Sequence, residues 1–176
     1  MHVSIRTAGT EDAGALAALA ARTFHDSFAD ENAKADMDAY VHEAFSPTRV
    51  HVELANPANV FLLALTEGSD ELIGYAKLRT GEADPCVSGP SPVELHRLYV
   101  DQPAIGMGVG AALMEASLKA ARACGHETLW LGVWEENPRA IAFYERWGFT
   151  CVGTHIFRLG SDDQIDLVME RPVELV

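Results

Sequence analysis

Residues 93–112 read VELHRLYVDQPAIGMGVGAA, and the rest of the chain is best understood from there. Val93, Leu95, Leu98, Tyr99 and Val100 give the stretch the apolar, β-branched and aromatic character of a strand. Asp101-Gln102-Pro103 then turns the chain, and Gly106, Gly108 and Gly110 open a helix that continues through AALMEASLKAARACG to a stop at Gly125. Leu113, Met114, Leu118 and Ala121 form one stripe of that helix, with Glu115, Lys119 and Arg122 off it. The first N–H groups of a helix have no internal acceptors, and the helix dipole adds positive potential there. Glycines let a phosphate approach such a backbone closely. A strand, a glycine turn and a helix start in this order therefore predict a pyrophosphate cradle, the alternative being a tight strand-to-helix turn with no ligand.

The turn alone does not name its ligand. Gly106-x-Gly108-x-x-Ala111 also satisfies the dinucleotide pattern, whereas the P-loop pattern fails because no Lys-Ser or Lys-Thr follows. The surrounding elements decide. Val3 to Thr7 reads as a strand, and Thr10 as the cap of a helix carrying Leu16, Leu19, Ala20, Thr23, Phe24 and Ser27. A second helix is expected over 32–44, with Met37, Tyr40 and Val41 inward, and a third from Ser46-Pro47 to Asn56-Pro57. Strand-like runs at Asn59 to Thr66 and Glu71 to Thr80 make a hairpin ahead of the central strand. After the glycine-led helix come a strand at Glu127 to Val133 and a helix from Asn137-Pro138 to Trp147, stopped by Gly148. A last hairpin runs over 149–159 and 164–170. This order is α+β, with a mixed sheet that is antiparallel in its first half. A dinucleotide domain would alternate strand and helix and needs more chain than remains.

With 176 residues, 48% apolar and 22% charged, the chain reads as a single globular domain, 1–176. A formal charge of −13 argues against nucleic acid and suits a cationic small molecule or simple solubility. Cys86, Cys124 and Cys151 lack the spacing of a zinc site or a disulfide framework, so no metal is expected. The opening MHVSIRT lacks the apolar core of a signal peptide, and no apolar run reaches membrane length. The expectation is a reduced, cytoplasmic protein without membrane contact.

ELHRLYVDQPAIGMGVGAALM followed by NPRAIAFYERWGF resembles the GCN5-related N-acetyltransferase (GNAT) superfamily, whose members bind acetyl-CoA. LGVWEENPRAIAFYERWGF with VGTHIFRLGSDDQIDLVME is similar, more narrowly, to bacterial Pai-type acetyltransferases acting on polyamines such as spermidine. The resemblance implies a mostly antiparallel sheet of six to seven strands, helices on both faces and a splayed parallel strand pair. It implies acetyl-CoA as co-substrate, its pantetheine arm paired like an added strand with Leu98, Tyr99 and Val100. The pyrophosphate would sit on the N–H groups of Ile105, Gly106, Met107, Gly108, Val109, Gly110 and Ala111. The family usually has Gln or Arg at the place of Ile105 and often a basic residue at Met107, so backbone donors alone would serve here. Arg139 and Arg146, or Lys119 and Arg122, are candidates for the remaining phosphate, or ordinary solvated charges.

Asn137 matches the family asparagine that touches the pantetheine arm, although a helix cap demands the same residue type. Tyr144 matches the tyrosine placed near the thioester sulfur, as general acid for the departing thiolate; otherwise it is a core residue beside Phe143. Glu94, with His96 second, is the expected base for the substrate ammonium, working through a water; the alternative is a solvated pair at a strand edge. Phe24 and Phe28, four apart on a helix, with Asp26, Asp30, Glu31, Asp36 and Asp38 around them, would form an acidic aromatic mouth for a polyamine, or a core pair under a solvated face. Trp134 would line the same place or simply pack. Protein, peptide or antibiotic amines are alternative acceptors, and a non-catalytic coenzyme-binding regulator is the competing class. The closing hairpin offers an edge for a homodimer.

Overall fold

The computed structural model describes residues 2–28, 34–160 and 162–174. In chain order the elements are β1 (Val3–Thr7), α1 (Ala13–Phe28), α2 (Lys34–Ala44), α3 (Pro47–Ala55), β2 (Asn59–Thr66), β3 (Leu72–Arg79), β4 (Pro92–Val100), α4 (Val109–Ala123), β5 (Thr128–Trp134), α5 (Pro138–Arg146), β6 (Thr150–Leu159) and β7 (Asp162–Pro172). The strands form one mixed sheet in the order β1-β2-β3-β4-β5-β7-β6, flanked by helices, as the α+β reading expects. The β4–β5 pair is parallel, and β1–β2, β5–β7 and β6–β7 are antiparallel. The backbone divides into two compact units, Met1–Lys77 with Arg97–Ser117, and Leu78–His96 with Leu118–Val176.

In the first unit, Phe61 to Leu65 of β2 are buried at every position, so both faces of that strand are covered. Leu16, Leu19, Ala20, Thr23 and Phe24 of α1 are buried as their spacing predicts, whereas Ser27 is exposed. Thr10 does not cap this helix. A short 3-10 turn, Thr10–Asp12, precedes it, and the Asp12 carboxylate accepts the Gly9 N–H at 2.8 Å while Arg6 donates to both its oxygens at 2.7 and 2.8 Å. A charged acceptor tied to β1 displaces the weaker hydroxyl cap. The third helix begins as expected, with Ser46 Oγ accepting the Arg49 N–H and Pro47 in the first turn.

A buried ion cluster lies under α3. Glu53 accepts from Lys77 Nζ at 3.0 Å and from Arg97 NH1 at 2.8 Å, and the Arg97 guanidinium lies 4.9 Å from the Phe45 ring centroid. Burial alone would raise the Glu53 pKa, but Arg97 and Lys77 together outweigh it and hold the carboxyl below its ordinary value. The neighbouring Tyr75 is fully buried, and its hydroxyl finds no hydrogen-bond partner among the described residues.

In the second unit, Leu129, Leu131, Val133, Val168 and Met169 build the core. The β4–β5 ladder covers only Pro92–Thr128, Val93–Leu129 and Glu94–Trp130, while β5 pairs with β7 along its whole length to Trp134. β6 pairs with β7 through an irregularity between Cys151 and Gly153.

Candidate active site

The end of β4 is fixed from two sides. Asp101 donates its N–H to the Ile73 carbonyl at 2.9 Å, and its carboxylate receives Arg22 of α1 at 2.8 and 3.0 Å. The Arg22 hydrogen bond holds the Asp101 carboxyl below the usual carboxylate range. Pro103 then lies in a 3-10 turn, Gln102–Ala104, and Ile105 is extended. Gly106 and Gly108 follow with φ of 85° and 84°, the left-handed region in which a Cβ is strained. These two glycines turn the chain into α4, which starts at Val109, between Gly108 and Gly110.

The Met107 N–H is engaged by the Ala104 carbonyl at 3.3 Å, and that of Ile105 by Gln102 at 3.2 Å. The cradle expected from 105–111 is thereby narrowed: Gly106, Gly108, Val109, Gly110 and Ala111 supply the donors suited to an anion, since the first turn of a helix has no intrahelical acceptors for its N–H groups. The side chains of Ile105 and Met107 are exposed, and Val109 is buried in the core. In the coenzyme-binding role that the resemblance implies for this turn, Gly108→Ala should weaken acetyl-CoA binding about tenfold, because the free turn would relax out of the left-handed region and re-forming it around the ligand costs roughly 1–2 kcal/mol. Titration of the coenzyme into both proteins measures the difference, and unchanged affinity would remove the turn from the binding site. Leu98, Tyr99 and Val100 are half-buried at the end of β4, and the Tyr99 ring packs on Tyr75 and Phe24.

Asn137 caps α5, its Oδ1 accepting the Ala140 N–H at 3.1 Å; its amide nitrogen is a separate donor. Tyr144 is half-buried, edge-on to Phe143 and Phe149, and the protein packed around its hydroxyl pushes its pKa up to about 12. Arg139 and Arg146 are exposed on the same helix, and Lys119 and Arg122 on α4. Glu94 is nearly buried, and Arg79 of β3 donates to its Oε2 from Nε at 2.7 Å and from NH2 at 2.6 Å. His96 is half-buried on the same strand.

The aromatic pair of α1 is differently placed than a mouth requires. Phe24 is 4% exposed and packs on Phe28, Tyr40 and Phe45, which puts it in the core of its unit. Phe28 is half-buried and Asp26 exposed, while Asp30 and Glu31 lie outside the described residues. Trp134 is half-buried at the end of β5. Among the described residues, no group of three or more His, Cys, Asp or Glu side chains is arranged to hold a metal, and no helix is long and apolar enough to cross a membrane.

Two ion pairs, Arg22 with Asp101 and Arg79 with Glu94, and the polar contacts of His155 with Asp84 and Asp166 escape any reading of the sequence. Arg22 and Asp101 are 79 residues apart and His155 and Asp84 71, while Arg79 with Glu94 and His155 with Asp166 lie on consecutive strands whose register chain order does not fix.

Known proteins agree with this architecture. Residues 20–149 match the model of the Acetyltransferase (GNAT) family. An N-acetyltransferase encoded in the pepI 3' region of Lactobacillus delbrueckii subsp. lactis is 30% identical over 169 residues, 96% of each chain. One from Mycobacterium tuberculosis is 37% identical over 160 residues, 91% of this chain and 97% of its own. Among solved structures, the PaiA N-acetyltransferase of Thermoplasma acidophilum, in complex with coenzyme A, superposes with a TM-score of 0.76 at 21% identity, covering 98% of this chain and 99% of that one. The glycine turn, the three-pair parallel ladder and the Asn137-led helix all fall within or beside the matched span, and the chain belongs to the acetyltransferase (GNAT) family.

Proposed function

We propose that this acyltransferase moves an acetyl group from acetyl-CoA to a primary amine by direct attack, with a polyamine such as spermidine as acceptor. The observation that carries the coenzyme assignment is the pair of left-handed glycines delivering the chain into the first turn of α4. A Cβ built at either would meet nothing within 4 Å, so the approach to the backbone is open. The donors there are uncharged, as the side chains of Ile105 and Met107 require. The charge of −13 supports a cationic acceptor.

Tyr144 serves as the general acid and Asn137 as a donor to the pantetheine arm, which adds to the backbone of Leu98 to Val100 as an extra strand. The acceptor ammonium has an unperturbed pKa near 10.4, so freeing its lone pair at pH 7 costs about 4–5 kcal/mol. A group on the protein must take that proton. Glu94, read as the base from its place on β4, spends Oε2 on Arg79. Its other oxygen, acting through a water, and His96 are the β4 candidates.

Thiol release from acetyl-CoA, measured with spermidine, a lysine-bearing peptide and an aminoglycoside, tests the acceptor class. Spermidine should be fastest, and strict preference for a peptide amine would overturn the polyamine assignment. The exposed, uncharged Ile105 and Met107 favour one competing reading, a coenzyme-binding regulator; binding of acetyl-CoA without thiol release from any of the three amines would establish it.

A further inference from the structure

On the second unit, a row of side chains crosses three strands. Trp134 of β5 is opposite Asp166 of β7, and Asp166 is opposite His155 of β6; partners across a ladder share a face. His155 Nδ1 lies 3.1 Å from Asp84 Oδ2, and Nε2 lies 3.5 Å from Asp166 Oδ2. Asp84 belongs to the β3–β4 loop and is itself held by the Cys86 N–H at 2.9 Å. That backbone hydrogen bond, with His155, keeps its carboxyl below the usual range. A charged carboxylate only accepts, so Nδ1 carries the hydrogen and Nε2 faces Asp166. Asp166 is opposite in character, since burial pushes its pKa up.

Gly132 of β5 makes the arrangement fit. A Cβ there would come within 3.0 Å of His155 Cε1 and Nε2 and 3.3 Å of Asp166 Oδ2. Gly132 is itself exposed, and the His155 side chain remains 31% exposed against 12% and 13% for Asp84 and Asp166. The imidazole is thus the member of the group that solvent and a ligand can reach. His155 Nε2 and Asp166 Oδ2 lie side by side, and a primary ammonium supplies three N–H groups that could reach both.

We infer that His155 takes the proton from the acceptor amine, with Asp166 holding that amine against Nε2 and Asp84 fixing the ring. This rests on the acetyl-transfer reading above. The ammonium N–H bond breaks and an Nε2–H bond forms; the freed nitrogen lone pair then attacks the acetyl carbonyl to form the C–N bond, the C–S bond breaks, and a second N–H proton passes from the acylated nitrogen to the sulfur, which leaves as a thiol. The imidazolium gives its proton to solvent, so each turnover releases one proton. Among the described residues, the titratable groups around the ring are Asp84 and Cys86 from the loop and Asp166 from β7, and β5 places Gly132 against it.

Two measurements test the assignment. In the first, kcat/KM for the fastest of the three panel amines is followed from pH 6 to 10 for the native protein, His155→Asn and Glu94→Gln. His155→Asn should lose about 10²-fold or more at pH 7, with KM for acetyl-CoA unmoved. The deficit should narrow roughly tenfold per pH unit as free amine accumulates. A deficit constant with pH, or a narrowing one in Glu94→Gln instead, overturns the assignment. Should His155→Asn fail to fold, Gly132→Ala, which crowds the ring, should show the same narrowing deficit. In the second, the His155 ring proton resonance, assigned by its loss in His155→Asn, should shift when spermidine is added to the full chain without acetyl-CoA. An unmoved resonance at saturating spermidine refutes amine docking there. No turnover of any panel amine by the native protein would instead sink acetyl transfer itself.

Discussion

Replacing Glu53 by alanine should destabilise the protein by about 3–5 kcal/mol, because it removes the carboxylate that two buried cations share. Lys77 is 3% exposed in its side chain and Arg97 10%, so neither can turn to water without opening the core. For a chain of this size that loss lowers Tm by roughly 6–20 °C, and it is a large share of a typical stability of about 5–15 kcal/mol. Arg49 also approaches Glu53, at 3.6 Å, but its side chain is 61% exposed, so Arg49→Ala should cost at most about 1 kcal/mol. Urea unfolding of the three proteins distinguishes these cases, and a Glu53→Ala loss below that of Arg49→Ala would contradict the buried-cluster account.

The pH dependence has a definite sign. The folded Glu53 carboxyl lies below its ordinary value, which is about 4.3 in the unfolded chain. Its contribution is therefore complete above that value and disappears as pH falls through the folded one. The native and Glu53→Ala proteins should converge in stability in acid. Arg97 lies two residues before Tyr99 on β4, so the same cluster also anchors the strand proposed to pair with the pantetheine arm.

Tyr144→Phe should lower kcat by about 10²–10⁴-fold, the range for loss of a positioned acid. The ring contacts with Phe143 and Phe149 survive the change, so stability and KM for acetyl-CoA should move little. With a pKa of about 12, the hydroxyl keeps its proton throughout an ordinary assay range. Any alkaline fall in kcat below pH 10 must then belong to another group and should persist in Tyr144→Phe. The unperturbed thiol has a pKa of about 8.5, so outright transfer from Tyr144 to the thiolate is uphill by roughly 3.5 units, about 5 kcal/mol. The acid role proposed for Tyr144 therefore requires a relay, its proton passing to sulfur as charge grows there while the nitrogen being acylated replaces it. Equal kcat in the two proteins would exclude it from the chemistry.

What the sequence determined by itself was local. β1 and β2 occupy the spans their alternation and composition predict, and Ser46 and Asn137 cap the helices they precede. The left-handed Gly106 and Gly108 sit where an anion-binding turn was expected. These features depend on dihedral preferences and on donors a few residues from their acceptors, which chain order encodes directly. Tertiary structure decided whatever requires knowing which strand lies beside which. Placing β7 between β5 and β6 sets Asp166 between Trp134 and His155. The same kind of packing turned Phe24 into core, gave Asp12 rather than Thr10 the capping role, and put Arg79 on Glu94. Such pairs are chosen by sheet register and burial, and an isolated charge or ring carries no local mark of the partner it will meet.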